Sequence, residues 1–414
     1  MSQIDGFFEK FGISVEIMDY VSRVLNDTAR QYGYSQICIP IIEKAASYSE
    51  DVVGKSPWPE WNRKGCFFFD ILNYHNSYTE KPEHESVLLI PEGTVSVTRW
   101  LGDQLVKGAY SFPLKVFYNL HCYRNELIST LNQTKRREFS QFGLEILGSS
   151  NPHSDLEILC IAVYCLIKLG VHSDQIRIRL NDITIFNQLV AECGLNSKAV
   201  YLKELLDTLA EIKAGKGVER RAKTLKSIHA ILDEANLNNT LRARWQAIIE
   251  QQGYRLDKLN KIFGSDYQSK IDNLAAIRSA FEKINIHIAP DLCVIRSHEY
   301  YTSVSYEIDV LTDEHKYIEI AGGGRYDRLV SSFVPANYPI QQVPCTGFAF
   351  GMERIISMLE QEHLIGKEIS IHSTFYFNSE QSSQIIPEGD APSDYINAFA
   401  ETLLTDRPTS ILIR

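Results

Sequence analysis

The sequence predicts a mixed α/β (α+β) fold, in which an antiparallel sheet is flanked by helices and carries a helical insertion. Two segments, 114–126 and 139–147, alternate apolar and polar residues with the period of two that is typical of strands. Between 197 and 283, Gly and Pro are rare, and Leu, Ala, Lys, Glu and Arg recur at helical spacing. Strand-like alternation then returns from about residue 292 to residue 310. Together these patterns predict a sheet domain that is interrupted by a run of helices.

The N-terminal region is predicted to contribute one helix and one strand. Residues Val15 to Tyr32 have helical spacing, and Gly33 follows where a C-terminal cap is expected. The segment from Tyr34 to Pro40 has the composition of a strand. Because proline has no N–H to donate, Pro40 is expected at a strand end or at a sheet edge.

The two alternating segments predict a hairpin whose faces differ in polarity. One face of the first strand carries Val116, Tyr118, Leu120, Cys122, Arg124 and Glu126. Arg124 and Glu126 are therefore predicted to lie about 7 Å apart on that face. On the second strand, Phe139, Gln141 and Glu145 oppose the apolar Phe142, Leu144 and Ile146. The polar residues 128–135 are predicted to form the connecting loop.

The next element is predicted to be a helix that starts with a capping box. Ser154 is suited to the N-cap, Glu157 stands three residues later, and Gly170 ends the run. The helix is apolar on most sides, which favours burial in a core or in a subunit interface. Gly322 to Gly324 are interpreted as an interruption of the later strand pattern. The last segment, 368–414, is predicted to form a strand, a loop, a helix and a second strand.

Composition narrows the class of protein. The chain has 414 residues, of which 44% are hydrophobic and 23% charged, as in an ordinary globular protein. A formal net charge of -10 argues against a generic basic nucleic-acid binder. The eight cysteines include no C-x-x-C pair, so no metal site is predicted. The first twenty residues are acidic and the longest apolar run spans 158–167, so a cytoplasmic protein with no membrane partner is expected.

Candidate chemistry lies on the hairpin and at the start of the last predicted core helix. An arginine can hold a phosphate, a carboxylate can accept from an exocyclic amine, and a phenyl ring can stack on a purine. Arg124, Glu126 and Phe139 therefore suit a nucleotide. Arg354 is placed in the first turn of a helix, where a cation opposes the helix dipole, so a phosphate contact explains it better than helix stability. The alternative for both sets is an ordinary solvated surface. The usual P-loop and dinucleotide fingerprints are absent.

Three stretches, in order along the chain, resemble the signature motifs of class II aminoacyl-tRNA synthetases. Residues 34–43 (YSQICIPIIE) resemble motif 1, with Pro40 at the position of the dimer-interface proline. Residues 123–126 (YRNE), the loop and residues 137–139 (REF) resemble motif 2, and residues 347–354 (GFAFGMER) resemble motif 3. The resemblance implies a class II synthetase-type antiparallel sheet and a homodimer.

Within that class, four further stretches resemble histidyl-tRNA synthetase. They are 91–94 (PEGT), 139–148 (FSQFGLEILG), 296–307 (RSHEYYTSVSYE) and 321–327 (AGGGRYD). The resemblance covers roughly residues 15–198 and 289–362. It implies that ATP, accompanied by Mg²⁺, activates histidine or a similar amino acid as the aminoacyl-adenylate.

The resemblance also implies a role for each matching residue. The implied ATP-binding residues are Arg124, Glu126, Phe139 and Arg354. The implied amino-acid-binding residues are Glu92, Thr94, Gln141, Glu145, Tyr300, Tyr301 and Tyr326. Arg296 is implied to stabilise the α-phosphate during attack, with Arg124 and Arg354 as the other catalytic cations. Because adenylation brings two anions together, positioned cations account for it and no nucleophile–base pair is expected.

Departures from the family pattern leave the amino acid and the acceptor open. Ser297, His298 and Glu299 replace the family's Gly-Leu-Asp, and Leu127-Ile128 replace an Arg-Pro in the loop that faces the tRNA acceptor end. About fifty residues follow motif 3, so the anticodon-binding domain is expected as a remnant. The acceptor is therefore tRNA, a small molecule or a protein, and adenylate is predicted to form more readily than bulk tRNA is charged.

The predicted domains are 1–198 and 289–365 for the two parts of the catalytic core, 199–288 for the insertion, and 366–414 for the C-terminal α/β remnant. A basic run at 213–226 is interpreted as a solvated helix face, with phosphate binding as the alternative. The alternative function is a non-catalytic, histidine-binding regulatory subunit of ATP phosphoribosyltransferase. Such a subunit has no need of the complete ATP-binding set.

Overall fold

The computed structural model describes residues 3–54, 64–74, 78–108, 111–127, 136–213, 217–250, 256–295, 300–361, 382–386 and 409–413. Its α-helices are α1 (Ile13–Gln31), α2 (Glu50–Val53), α3 (Thr94–Val106), α4 (His153–Lys168), α5 (Ile183–Glu192), α6 (Ala199–Lys213), α7 (Arg221–Glu234), α8 (Asn239–Glu250), α9 (Leu256–Phe263), α10 (Gln268–Glu282) and α11 (Met352–Gln361). Its strands are β1 (Ser35–Gln36), β2 (Ile42–Lys44), β3 (Phe68–Asn73), β4 (Glu83–Leu89), β5 (Leu114–Tyr123), β6 (Glu138–Leu147), β7 (Ile176–Asp182), β8 (His287–Pro290), β9 (Val304–Leu311), β10 (Tyr317–Arg325), β11 (Cys345–Gly351), β12 (Ser382–Ile386) and β13 (Thr409–Ile413).

The central sheet runs in the order β1-β5-β6-β11-β10-β9-β7-β8 within the described ranges. Its inner pairs are antiparallel, while β1 pairs with β5 and β8 pairs with β7 in parallel at the two edges. Strands β2, β4 and β3 form a separate antiparallel sheet, and β12 pairs with β13 in parallel. The predicted antiparallel sheet is therefore confirmed, with a parallel strand added at each edge.

Each face of the central sheet covers its own apolar core. On one face, Phe142, Leu144 and Ile146 of β6 are buried in the cluster that includes residues of α1 and α4. On the other face, Val116 and Tyr118 of β5 are buried in the cluster that includes residues of α3. Burying one such side chain stabilises the fold by about 1.5–3 kcal/mol relative to leaving it exposed. The second face also carries Phe139, Gln141 and Glu145, so α3 packs beside the candidate site.

Helices α6 to α10 follow one another between residues 199 and 282, in agreement with the helical pattern of the sequence. Trp245 is fully buried there, and its ring meets Phe186 of α5 edge-on at 6.1 Å between centroids. Arg220, in the basic run, pairs with Glu211 on the surface. The limits of the insertion, like the other domain boundaries, stay a prediction.

Two predicted strands are wrong in length. The strand expected over 34–40 is limited to β1, because only Ser35 and Gln36 pair with β5. The first hairpin strand ends at Tyr123, so Arg124 and Glu126 do not project from a strand face. Instead, the Glu126 N–H donates to the carbonyl oxygen of Arg124 at 2.8 Å, which turns the chain. The loop predicted at 128–135 lies outside the described residues.

The predicted capping box at the start of α4 is wrong. The helix begins at His153, and the side-chain oxygen of Asn151 accepts from the His153 N–H at 2.9 Å. Ser154 lies inside the helix. Glu157 is turned towards the sheet, where both of its oxygens accept from Lys115, at 2.7 and 3.0 Å. This buried ion pair uses the carboxylate that the pattern assigned to a cap.

Three later expectations also change. Leu292 lies in a turn rather than in a strand. Gly322 to Gly324 lie inside β10 and do not interrupt it. Glycine is needed at position 323 because a Cβ there would come within 2.2 Å of the carbonyl oxygen of Gly347 in the next strand. In the last segment only β12 and β13 are described, so the helix predicted there lies outside the described residues. In the described ranges, no helix combines the length and apolarity that a membrane crossing requires.

Candidate active site

The candidate site lies on the α3 face of the central sheet, where three parts of the chain meet. Strand β6 supplies Gln141 and Glu145, and the residues before and at the start of α3 supply Glu92 and Thr94. Tyr326 enters directly after β10. These residues are distant in the sequence, and hydrogen bonds between their side chains and backbone join them.

Glu145 is the centre of this arrangement. The hydroxyls of Thr94, Tyr118 and Tyr326 donate to its carboxylate at 3.0, 3.3 and 2.7 Å. Glu145 is only 1% exposed. Burial raises the pKa of Glu145 to about 8. The hydrogen bonds from the three hydroxyls lower this pKa, but they do not cancel the effect of burial. The site therefore holds a buried carboxyl group that an N–H or a cation of a ligand would stabilise in its charged form.

Glycines make the space for Glu145 and its partner Tyr118. A Cβ at Gly347 of β11 would lie 1.5 Å from Glu145 Oε2. A Cβ at Gly143 would lie 2.2 Å from the Tyr118 ring, and a Cβ at Gly93 would lie 2.5 Å from it. The small residues before α11 are therefore needed for the close approach of the neighbouring carboxylate.

Glu92 fastens the start of α3. Its two carboxylate oxygens accept from the backbone N–H groups of Thr94 and Val95 at 2.7 and 2.8 Å, which satisfies donors at the helix N-terminus. Burial raises the pKa of Glu92, and these backbone donors oppose that rise. Next to it, the Gly93 N–H donates to Gln141 Oε1 at 2.8 Å, so the 91–94 segment is tied to the sheet.

Three tyrosines form one wall beside Glu145. The rings of Tyr300 and Tyr301 lie 5.0 Å apart, and those of Tyr300 and Tyr326 lie 6.0 Å apart and nearly perpendicular. Tyr300 and Tyr326 are buried and Tyr301 is half-buried. Burial raises the pKa of the Tyr300 and Tyr326 hydroxyls, so both stay protonated donors near neutral pH.

Arg124 and Phe139 lie together at the open end of the hairpin. The guanidinium carbon of Arg124 is 5.2 Å from the centroid of the Phe139 ring, and its Nε donates to the carbonyl oxygen of Pro91 at 3.0 Å. Glu126 is half-buried, and its carbonyl oxygen accepts from Arg137 Nε at 3.2 Å. An aromatic face next to a fixed guanidinium is suited to a base and a phosphate.

Arg354 lies at the start of α11, and the side chain is 60% exposed. Its Nη1 is 3.3 Å from the carbonyl oxygen and 3.7 Å from the carboxylate of Glu319 in β10. The structure thus places Arg354 beside β10. Arg296 lies outside the described residues, as do Ser297, His298 and Glu299.

Sequence reasoning missed two residues of the arrangement. Tyr118 was placed on the same strand face as Arg124 and Glu126 but was given no role, because its neighbours at a spacing of two are the apolar Val116 and Leu120. A signal was available, because a buried tyrosine hydroxyl needs a hydrogen-bond partner, and Glu145 supplies it. Glu319 had no local signal, since its meeting with Arg354 depends on sheet order.

Comparisons with known proteins agree with this picture. A family model described as histidyl-tRNA synthetase matches residues 79–355. The histidine–tRNA ligase of Saccharolobus solfataricus is 26% identical over 359 residues, which cover 86% of this chain and 75% of that protein.

Solved structures show the same fold. A Bacillus halodurans structure described as an ATP phosphoribosyltransferase regulatory subunit/histidyl-tRNA synthetase has a TM-score of 0.65, at 16% identity, and covers 99% of this chain and 94% of that chain. The histidyl-tRNA synthetase from Nostoc sp. PCC 7120 has a TM-score of 0.62, also at 16% identity, with 100% and 86% covered. These likenesses confirm the fold class predicted from the sequence.

Proposed function

The chain belongs to the histidyl-tRNA synthetase family, and from that premise we propose that it activates histidine or a similar amino acid with ATP. The product is the aminoacyl-adenylate, which is passed to tRNA or to another acceptor. One observation carries the proposal. The segment 91–94 contacts both halves of the site, because the Pro91 carbonyl oxygen accepts from Arg124 and the Thr94 hydroxyl donates to Glu145.

This shared segment supports an amino-acid pocket that lies next to a surface for the nucleotide. In the proposed complex, Glu145 accepts an N–H of the ligand side chain, and Glu92, Thr94 and Gln141 hold the ligand's amino group. Tyr300, Tyr301 and Tyr326 line the pocket. Phe139 stacks on the adenine, Glu126 accepts from its exocyclic amine, and Arg124 and Arg354 hold phosphates.

The reaction needs alignment and charge neutralisation. An oxygen of the ligand carboxylate attacks the α-phosphorus, the bond to the bridging oxygen breaks, and that oxygen leaves with its electron pair as pyrophosphate. Arg124, Arg354 and Arg296 neutralise the two anions as they approach. Arg296 is assigned to the α-phosphate by resemblance alone.

Mg²⁺ is proposed to enter with ATP. Within the described ranges, no group of three or more His, Cys, Asp or Glu residues is arranged to hold a metal ion. Glu319, the carboxylate nearest to Arg354 in the contacts above, is engaged by that arginine. Since Mg²⁺ at such sites is held mainly by phosphate oxygens and water, a protein cage is not required.

The test is ATP–pyrophosphate exchange with a panel of amino acids. The proposed activity requires exchange that depends on histidine or on one similar amino acid. The second candidate is a histidine-binding regulatory subunit, which is favoured by the description of the Bacillus halodurans structure. That candidate predicts histidine binding without exchange. The acceptor is then identified by incubating the protein with ATP, labelled amino acid and total tRNA, where strong charging identifies tRNA.

A homodimer is also proposed, through the sheet formed by β2, β4 and β3. Ile41 and Ile42, in the stretch that resembles motif 1, are 40% and 44% exposed. Phe69 and Leu72 of β3 are also exposed. A symmetric partner would bury these apolar side chains. The molecular mass measured by sedimentation tests the homodimer.

A cytoplasmic location stays a prediction from the sequence.

A further inference from the structure

The N-terminal segment 5–10 lies against the base of the hairpin that carries Arg124 and Phe139. The carbonyl oxygen of Gly6 accepts from the backbone N–H of Arg137 at 2.8 Å, and that of Asp5 accepts from Arg137 Nη1 at 3.3 Å. Phe8 packs under Arg136, with 5.0 Å from the guanidinium carbon to the ring centroid. Three contacts thus hold Arg136 and Arg137, directly before β6.

The same segment reaches the start of α11. Lys10 Nζ donates to Glu353 Oε1 at 2.9 Å, and Glu353 Oε2 accepts from the Ser140 N–H at 2.8 Å. Glu353 precedes Arg354, and Ser140 follows Phe139. Lys10 therefore supports the Glu353 carboxylate, which ties α11 to β6. This tie lies next to Arg354 and Phe139 in the sequence, and both belong to the proposed ATP-binding set.

A second segment holds the other side of the hairpin. Asn125 lies between Arg124 and Glu126, and its backbone N–H donates to the Gly65 carbonyl oxygen at 2.9 Å. Its side-chain amide donates to the Lys64 carbonyl oxygen at 3.1 Å. The N-terminal segment meets this second segment through Phe7 and Phe67, whose rings are 5.9 Å apart. The residues that flank the hairpin loop, Asn125 on one side and Arg137 on the other, are therefore connected through the two segments.

We propose that residues 5–10 are a positioning strap that holds the hairpin ends and the start of α11 in the arrangement that binds ATP. Two cavities of about 200 and 270 Å³ lie beside it, both lined by Phe8, Lys10, Arg136 and Glu353. Next to Phe8 and Lys10 the strap is therefore not closely packed, so the ion pair and the ring contacts are expected to hold it there. The contacts above join residues 5–10 to Phe67, Arg136, Arg137 and Glu353 and not to Glu145, so the effect is expected on the nucleotide.

This inference rests on the proposed function, and the test separates the two. The variant combines Phe7→Ala with Lys10→Ala, which removes the ring contact and the ion pair. Glu9→Ala is the matched control, because Glu9 lies in the same segment and its side chain is exposed and contacts Gln3. Lys10→Arg in the Phe7→Ala background tests rescue by a restored ion pair.

ATP and histidine affinities are measured separately by calorimetry, and amide hydrogen exchange is followed at residues 137–140. We expect the double variant to bind ATP about tenfold more weakly, because residues that the strap no longer holds in place must be ordered when ATP binds. Histidine affinity should stay within about twofold, and exchange at Arg137 and Ser140 should accelerate. Glu9→Ala should match the unchanged protein, and the rescue variant should recover part of the ATP affinity.

Unchanged ATP affinity in the double variant overturns the strap, as does an equal loss of histidine affinity, which would indicate general damage. If the unchanged protein binds no ATP, the proposed function fails and the exchange data decide the strap alone. Faster exchange confined to residues 137–140 then supports it, and unaltered exchange overturns it.

Discussion

The substitution Glu145→Gln tests the pocket most directly. The glutamine side chain has nearly the same shape, so the surrounding Thr94, Tyr118 and Tyr326 can stay in place. The substitution removes the charge. In the unchanged protein the hydroxyls donate to carboxylate oxygens, whereas in the variant one of them meets the NH₂ group of glutamine. A ligand N–H would then meet a neutral acceptor at best.

The expected effect follows from the energy of a charge-assisted hydrogen bond. Such a bond contributes about 1.5–3 kcal/mol, which corresponds to roughly 10–150-fold in Kd. The pKa of Glu145 is about 8, so the carboxylate is mostly formed at pH 8.5 and mostly protonated at pH 6.5. At pH 8.5 the variant should therefore bind histidine at least about tenfold more weakly. At pH 6.5 the two proteins should differ much less.

Calorimetric titration of histidine at both pH values makes the measurement. The ligand's own titration cancels in the ratio of the two Kd values, so the change of that ratio with pH reports Glu145. Glu157→Gln is the matched control, because Glu157 is equally buried but bonds to Lys115, away from the pocket. A ratio near one at pH 8.5, or a ratio that does not change with pH, would refute the assignment.

Stability should show the same titration with a definite sign. The folded-state pKa of Glu145 lies above the ordinary glutamate value of 4.5, so folding favours its protonated form. Its contribution is complete below about pH 4.5 and is lost as the pH rises through about 8. Between these limits the unchanged protein should lose up to about 5 kcal/mol relative to Glu145→Gln. Thermal unfolding of both proteins from pH 5 to 8.5 measures the difference.

Three further outcomes are expected. Arg296→Ala should lower pyrophosphate exchange by orders of magnitude while histidine still binds, and an unaffected exchange rate would remove Arg296 from the mechanism. Gly347→Ala should weaken histidine binding and destabilise the fold by about 1–3 kcal/mol, because its Cβ would occupy the place of Glu145 Oε2; unchanged binding and Tm would contradict the close approach. Charging of total tRNA should be weak beside adenylate formation, since a net charge of -10 offers no general attraction to a polyanion. Charging as fast as adenylate formation would reverse that expectation.

Much of the fold was predictable because its signals are local. The alternation in β5 and β6 assigned Phe142, Leu144 and Ile146 to one buried face and Gln141 and Glu145 to the other, as the structure has them. The helical spacing between 197 and 283 likewise predicted α6 to α10. Periodicity of this kind depends only on neighbours along the chain and on one apolar face.

The errors occur where a distant contact replaces a local one. Glu157 fits a capping box by spacing, but an ion pair with Lys115 on the sheet uses its carboxylate. Arg124 and Glu126 fit the strand alternation, but the strand ends at Tyr123 and Asn125 is tied to the 64–65 segment. In each case the residue type was read correctly and its partner lay elsewhere in the sequence.

By itself the sequence determined the class of fold and the two faces of β6, and it proposed residues to hold a nucleotide and an amino acid. Only the tertiary structure decided that Tyr118 shares Glu145 with Thr94 and Tyr326, and that an N-terminal segment supports the hairpin from outside. The physical reason is that a side chain's period along the chain follows from backbone geometry. Its pKa and its hydrogen-bond partners follow from burial and from residues that only the folded chain brings within hydrogen-bond distance.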